Sequence, residues 1–478
     1  MSKGILQRRA EIQGLGTAIL LPSVGVFGEP IGPDVGELGP LANVVGIGLF
    51  QRTVLTLQRA GIRQLIVLSG SEEEQLKLAL GKGPRVTIPV RWMPIREFPL
   101  DDPRTWESLA AEVHGFTLIA SVNSVFSRGL IEQLRRDVKE RQAIVVAQSR
   151  QGPLDQPIMQ GVPLNMPVGR QKTWSLTGST ESTVRVAELL VLPASLMSAG
   201  NQAANEKGGP PIRQWIEQAA ADGRVRVVTA DAKQGTWYQE VRTLSDVRIA
   251  ENKLYNSLKG EFEGFVDRYF NRKVSRWFTR LFLAIGLSPN SITALAGLIG
   301  LMAAAGFGLG TYSAGIVAAL LFQLAAVIDC CDGEVARLTF TESPLGAWLD
   351  LVLDNIVHMA IFAGIAVGLY TTRIGQADEW VPLALGFAAV AGNSICFFLV
   401  ERMQKIKAMS GWKSQTHAAW AEVMLKNVAS RDFSAALLGF ALLDQLYWFL
   451  TFAAAGSLLF AGALAWAIRP SAIALPRQ

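Results

Sequence analysis

The sequence predicts two architectures in one chain: an α/β doubly wound domain in the N-terminal half, and an all-α six-helix transmembrane domain in the C-terminal half with an interfacial amphipathic helix before it. Three observations predict this. Charge is concentrated in residues 1–280, whereas 281–470 hold long apolar runs. Short β-rich runs alternate with helical periodicity through the first half. Four carboxylates, Asp329, Asp332, Asp350 and Asp354, lie between the most apolar runs of the second half.

The first run, residues 17–27 (T-A-I-L-L-P-S-V-G-V-F), suits a buried strand better than a leader peptide, because a proline breaks it and no small-residue cleavage site follows. A Gly/Pro-rich loop spans Gly28 to Gly39, and residues 49–60 carry helical periodicity up to Gly61. Strands are expected at 64–69, 86–90, 116–121 and 143–148, with helices after Gly70, near 106–113 and over 127–140 between them. This alternation implies a mainly parallel sheet. Residues 224–230 (R-V-R-V-V-T-A) add a further β-rich run, and a helix from about Asp246 to Lys259 links the halves. The domain boundaries expected are 1–246, 247–281 for the linker and juxtamembrane helix, and 282–478.

Residues 262–280 place aromatic and basic side chains at helical spacing, as in a helix lying in the membrane interface. Spans follow at about 290–309, 312–334, 345–370, 380–401, 433–446 and 448–468, the fifth being short. The chain carries a net charge of +5, and its Lys and Arg residues gather beside the spans. That pattern points to an anionic lipid surface and not to nucleic acid. The basic run before the first span, the basic loop 402–431 and the nearly neutral loop 371–380 put both termini and the aspartate run on the cytoplasmic side. The three cysteines lack ligand spacing and the three histidines (His114, His358, His417) are scattered, which leaves neither a disulfide framework nor a histidine metal site.

Ionisable groups inside a membrane are functional candidates, since an unpaired charge there costs about 2.5–3.5 kcal/mol or more. Asp329 and Asp332 are three apart near the end of span two, and Asp350 and Asp354 are four apart near the start of span three. Each pair shares a helical face, and a turn containing Pro344 and Gly346 lets the faces meet. Carboxylate oxygens favour hard cations, hence Mg²⁺ or Mn²⁺, and two ions sharing carboxylates would clamp a diphosphate. Gly333, Ala336 and Gly346 remove bulk near the site, and Arg337 is placed to pair with a carboxylate or a phosphate.

The run D-x-x-D-G-x-x-A-R-x(8)-G-x-x-x-D-x-x-x-D, complete from Asp329 to Asp354, is identified as the signature of the CDP-alcohol phosphatidyltransferases. The segments L-S-P-N-S-I-T (287–293) and S-R-D-F (430–433) resemble the same family, over about residues 262–470. The resemblance implies that Asp329, Asp332 and Asp350 bind metal with Asp354 near the ions. It implies that Asp354 is the general base, and that Asp329, Asp332, Gly333, Ala336, Arg337 and Gly346 line the CDP site. It also implies a homodimer, a CDP-linked donor, an alcohol acceptor and release of CMP. For the acceptor phosphate the candidates are Arg431, Arg272 and Arg276, within a basic set that includes Arg268, Lys273 and Arg280. Asn290 and Thr293 suit helix capping as well as ligand contact.

The N-terminal half resembles a sugar-nucleotidyltransferase-like domain, and the order of the halves resembles bifunctional enzymes that fuse an inositol-phosphate cytidylyltransferase to a di-inositol-phosphate phosphate synthase. The expected phosphate loop, P-S-V-G-V-F-G-E-P, has no Arg, the segment P-L-A-N-V-V-G-I-G-L-F-Q-R-T has no Lys, and Asn123 stands where a metal Asp is expected. A neutral amide binds Mg²⁺ poorly, so a scaffold or ligand-sensing role is expected for this half. The function expected is an integral membrane transferase of phospholipid synthesis in a bacterial or archaeal inner membrane, with CDP-diacylglycerol as donor. The alternative takes CDP-inositol and inositol phosphate. A metal-dependent transporter is a third reading, disfavoured because no paired broken helices recur in two halves.

Overall fold

The computed structural model describes residues 14–81, 85–113, 115–138, 142–149, 164–165, 173–176, 183–199, 212, 214–216, 219, 224–231, 235–258, 271–410 and 432–467. They fall into two compact units, Met1–Ser257 and Leu258–Gln478. His114, Arg268, His417 and Arg431 lie outside the described residues.

The first unit is built on a nine-stranded sheet. Its strands are β1 (Leu15–Leu21), β2 (Gln64–Ser69), β3 (Val90–Pro94), β4 (Phe116–Ser121), β5 (Ala143–Ser149), β6 (Leu164–Asn165), β7 (Thr173–Leu176), β8 (Thr183–Pro193) and β9 (Val225–Thr229). The order is β9-β5-β8-β4-β1-β2-β3, with β7 pairing β8 and β6 pairing β7. Strands β4, β1, β2 and β3 are parallel, as are β5 and β9, while β8 runs antiparallel to both β4 and β5. The sheet is therefore mixed at β8. Every residue of β4 is buried, which is why its sequence (F-T-L-I-A-S) holds no charged residue and does not alternate apolar with exposed polar positions.

Helices α1 (Leu49–Arg59), α2 (Glu73–Gly81), α3 (Pro103–Glu112) and α4 (Arg128–Asp137) alternate with the parallel strands; α5 (Ala194–Ala199) and α6 (Leu244–Ser257) follow. Their starts follow local chemistry: Asp102 accepts from the Arg104 N–H at 2.9 Å with Pro103 in the first turn, and Ser127 accepts from the Leu130 N–H at 3.2 Å. Two boundaries differ from expectation. Strand β1 ends at Leu21 because Pro22 cannot donate to the ladder. Strand β3 begins at Val90 instead of 86, because the Gln58 side chain takes the Arg85 carbonyl and the Thr87 N–H, each at 2.8 Å, and holds that backbone away from β2.

The second unit is helical. It comprises α7 (Arg272–Ala284), α8 (Pro289–Gly308), α9 (Tyr312–Thr339), α10 (Pro344–Thr371), α11 (Val381–Ser410), α12 (Asp432–Leu442) and α13 (Leu446–Ala467). Five of these (α8, α9, α10, α11 and α13) are long and apolar enough to cross a membrane. The 11 residues of α12 reach only about 16 Å, roughly half of a hydrocarbon core. Asp444, at φ 57°, turns the chain between α12 and α13, so the two are separate helices. Phe387 and Leu459 are 77% and 75% exposed on this unit, as lipid-facing side chains are.

Small residues set how closely α8 and α10 approach. A Cβ on Gly364 would run into the Ala304 carbonyl, and one on Gly368 into the Phe307 carbonyl. Conversely, Gly297 and Gly300 of α8 receive Leu353 and Val357 of α10. This packing matters for function because α10 carries Asp350 and Asp354. The substitution Gly364→Leu is expected to lower stability by about 1–3 kcal/mol through forced separation of the helices. Gly439→Ala, at a position with no neighbour within 4 Å, should leave the melting temperature unchanged or higher. Melting curves of the detergent-solubilised protein test both.

Candidate active site

The site is built where α9 ends and α10 begins. Helix α9 stops at Phe340, which takes the left-handed conformation (φ 57°), with the Ala336 carbonyl accepting the closing hydrogen bond. Four residues later the chain starts again: Ser343 caps α10, accepting from the Gly346 N–H at 3.0 Å, and Pro344 occupies the first turn. Pro344 and Gly346 thus belong to the helix start and not to the turn itself. This short connection reverses the chain, and because α8 packs against both α9 and α10, the two halves of the aspartate run are brought to one place.

Carboxylate oxygens of Asp329, Asp332 and Asp350 come within 4.8 Å of one another. Asp329 and Asp332 are 7% and 8% exposed, and Asp350 Oδ1 is buried without a hydrogen-bond partner. Two like unit charges at this spacing repel by roughly 3 kcal/mol at an effective dielectric constant near 20. Three oxygen donors that repel one another, one of them orphaned, fit a hard divalent cation. Asp354 lies one turn beyond Asp350, outside this group, and lines a cavity of about 690 Å³ together with Asp329.

Neighbouring groups orient the carboxylates. Thr293 Oγ1 donates to Asp332 Oδ2 at 2.5 Å, and the Gly333 N–H donates to Asp332 Oδ1. The cap of α8 is Ser288, so Thr293 is a second-layer partner of Asp332 and not a helix cap. At Gly346 a Cβ would press on Ser343 Oγ at 3.1 Å and Asn290 Oδ1 at 3.2 Å. The Arg337 guanidinium lies 3.5 Å from where a Gly333 side chain would begin. Ala336 is buried on the same helix.

The juxtamembrane helix plays a part that its amphipathic pattern did not reveal. Asn271, Ser275 and Thr279, spaced four apart, are fully buried and form a polar seam against α9. Gln323 donates to Asn271 Oδ1 at 2.8 Å, and Ser275 and Thr279 donate to the two oxygens of Glu334 at 3.1 and 2.7 Å. Glu334 stands inside the aspartate motif, so α7 fixes the helix that carries Asp329 and Asp332. Trp277 and Leu281 point outward on the opposite face, 64% and 43% exposed. Of the basic candidates, Arg276 lies half-buried beside Ser275, while Arg431 and the Arg272 side chain fall outside the described residues. Cys330, Cys331 and Cys396 form no disulfide.

In the first unit, the loop expected to cradle phosphate is tied down by the protein itself. Asn123 Nδ2 donates to the Leu38 carbonyl, and the Val26 N–H donates to the buried carboxylate of Glu188 at 2.5 Å. Arg242 pairs with Glu37 at 2.9 Å, with Glu29 at 3.5 Å and with Glu240. Burial opposes charge on Arg242, yet Glu240 and Glu37 hold its guanidinium above the ordinary arginine value. Asn123, at the position where a metal carboxylate was expected, is used as a latch.

The profile of the CDP-alcohol phosphatidyltransferase family matches residues 287–453. Along most of its length the chain is similar to a protein of Rubrobacter xylanophilus named bifunctional IPC transferase and DIPP synthase, at 26% identity over 388 residues, which is 79% of this chain and 83% of that one. It is also 33% identical over 171 residues to a protein of the same name from Aquifex aeolicus, covering 35% of this chain and 37% of that one. Among solved structures, the inositol-1-phosphate CTP transferase from T. maritima aligns with a TM-score of 0.35 at 12% identity, covering 50% of this chain and 95% of that one.

Two outcomes test these contacts. Mg²⁺ should raise the melting temperature of the native protein, Asp350→Asn should abolish the shift, and Thr293→Val should weaken Mg²⁺ affinity by about 10–100-fold. Arg242→Ala should cost roughly 2–3 kcal/mol and speed amide exchange across residues 28–39. Unchanged exchange there would remove the latch.

Proposed function

We propose, from the CDP-alcohol phosphatidyltransferase domain that the C-terminal unit carries, that this protein transfers a substituted phosphate from a CDP-linked polyol, of the CDP-inositol type, to the hydroxyl of an inositol phosphate, with release of CMP. The observation that carries the reaction class is the convergence of Asp329, Asp332 and Asp350, together with a buried Asp350 oxygen that has no hydrogen-bond partner. The polyol donor is supported by similarity along both units to a protein named as a DIPP synthase, and it displaces CDP-diacylglycerol as the first choice.

Asp329, Asp332 and Asp350 would hold Mg²⁺ or Mn²⁺, in keeping with two ions. A bound divalent cation supplies charge neutralisation for the donor diphosphate. Gly333, Ala336 and Gly346 leave room for the cytidine, and Arg337 offers a guanidinium to phosphate. Asp354 accepts the proton of the acceptor hydroxyl. The hydroxyl oxygen bonds to the β-phosphorus, the bond from that phosphorus to the bridging oxygen breaks, and CMP departs with the electron pair. The aspartate cluster and both termini face the cytoplasm of a bacterial or archaeal cell, and the protein works as a homodimer. The first unit, lacking the Lys, Arg and Asp of a working nucleotidyltransferase, is an accessory, so another cytidylyltransferase supplies the donor.

A second reading keeps CDP-diacylglycerol as the donor. It is favoured by one observation, the phenylalanine-rich part of the 690 Å³ cavity, where Phe322, Phe433, Phe440, Phe449, Phe452 and Phe460 offer an apolar surface suited to a hydrocarbon chain.

The deciding measurement is Mg²⁺-dependent CMP release with CDP-inositol and inositol phosphate, compared with CDP-diacylglycerol and the same acceptor. Release from CDP-inositol should fall by about a thousandfold in Asp354→Asn if Asp354 is the base. Release only from CDP-diacylglycerol would move the protein to the second reading. The same preparation given CTP and inositol phosphate should form no pyrophosphate.

A further inference from the structure

The cavity beside Asp354 is not uniformly apolar. One turn beyond Asp354, and about 6 Å further along the axis of α10, stands His358, which lines the cavity. Its ring is clamped edge-on by Phe322 of α9, at 5.8 Å between centroids, and by Phe433 of α12, at 5.4 Å. Phe433 in turn packs on Phe362 and Phe449, so the orientation of the imidazole is set by aromatic packing that draws on four helices. On the same side, Asn393 of α11 donates to Asn355 Oδ1 at 3.3 Å, and Asn355 donates to the Leu351 carbonyl at 2.7 Å. Both amides line the cavity. Polar and ionisable side chains within membrane-spanning helices that line a cavity are functional candidates.

We infer that His358, with the Asn355–Asn393 pair, forms a hydrogen-bonding wall that holds the ring hydroxyls of a polyol acceptor so that one hydroxyl faces Asp354. This rests on the reading of the protein as a polyol phosphotransferase, and it assigns His358 and Asn393 as specificity residues. The wall and the phenylalanine floor divide the work: hydroxyls bind at the wall near the reacting carboxylate, and the floor excludes water. A site built to hydrogen-bond substrate hydroxyls discriminates strongly against analogues that lack them, because its own polar groups are then left unpaired.

The test uses the full-length protein in detergent, with inositol phosphate and glycerol phosphate as acceptors. Calorimetry without donor reads acceptor binding, and CMP release reads KM and kcat. His358→Phe and Asn393→Leu should each weaken inositol phosphate binding and raise its KM by about tenfold or more, while the donor KM stays within about twofold. His358→Gln, which keeps a hydrogen-bonding group, should recover most of the affinity, and the preference for inositol phosphate over glycerol phosphate should collapse in His358→Phe. Unchanged acceptor binding and discrimination in both variants would overturn the inference. An equal loss for donor and acceptor would also overturn it, since that is the mark of a structural role. If the native protein binds inositol phosphate through His358 yet releases no CMP from any donor, the proposed function fails and the wall stands.

Discussion

Mutual repulsion among three clustered carboxylates is the constraint around which the membrane unit is arranged. Asp329, Asp332 and Asp350 have oxygens within 4.8 Å of one another in helices that face lipid, where charge is expensive. Such a cluster persists only if the backbone holds it against its own repulsion and a cation or a proton relieves it. Every neighbouring feature serves the first requirement. The four residues 340–343 return the chain sharply, Ser343 starts α10 at a defined angle, and Thr293 from a third helix holds one oxygen of Asp332.

Helix packing then converts local geometry into a rigid frame. Hydrophobic burial contributes little between helices already surrounded by lipid, so close approach and interhelical hydrogen bonds carry the load. The glycines at 364 and 368 let the backbones of α8 and α10 touch, and the seam of Asn271, Ser275 and Thr279 fastens α7 to α9 at Glu334. The latter joins a helix that sequence periodicity assigned to the interface to the motif helix itself. The seam residues are small and polar, and their spacing of four was hidden beneath the stronger aromatic and basic pattern of the same segment.

The first unit illustrates the opposite case, a fold retained while its chemistry is spent on structure. The alternation of strands and helices survives because it depends on buried apolar faces, which the sequence preserves. The segment 26–38 is held by Arg242, Glu188 and Asn123, whose partners in it lie 85 to 213 positions away in the chain. The antiparallel insertion of Thr183–Pro193 between parallel neighbours was likewise beyond reach, since periodicity reports a strand but not its direction.

The sequence by itself determined the two architectures, the strands at 64–69 and 116–121, and the candidate role of four aspartates, because each is a local pattern of periodicity or a spacing within one or two helical turns. Tertiary structure alone decided which three aspartates meet, that Thr293 orients one of them, and that His358 and Asn393, from different helices, face one cavity with Asp354. His358 did carry a signal, as an ionisable group four residues after an aspartate inside a span, but its meaning required the walls of the cavity. Spacing along one helix fixes which side chains share a face; which faces meet is set by glycine contacts and interhelical hydrogen bonds among segments distant in the chain.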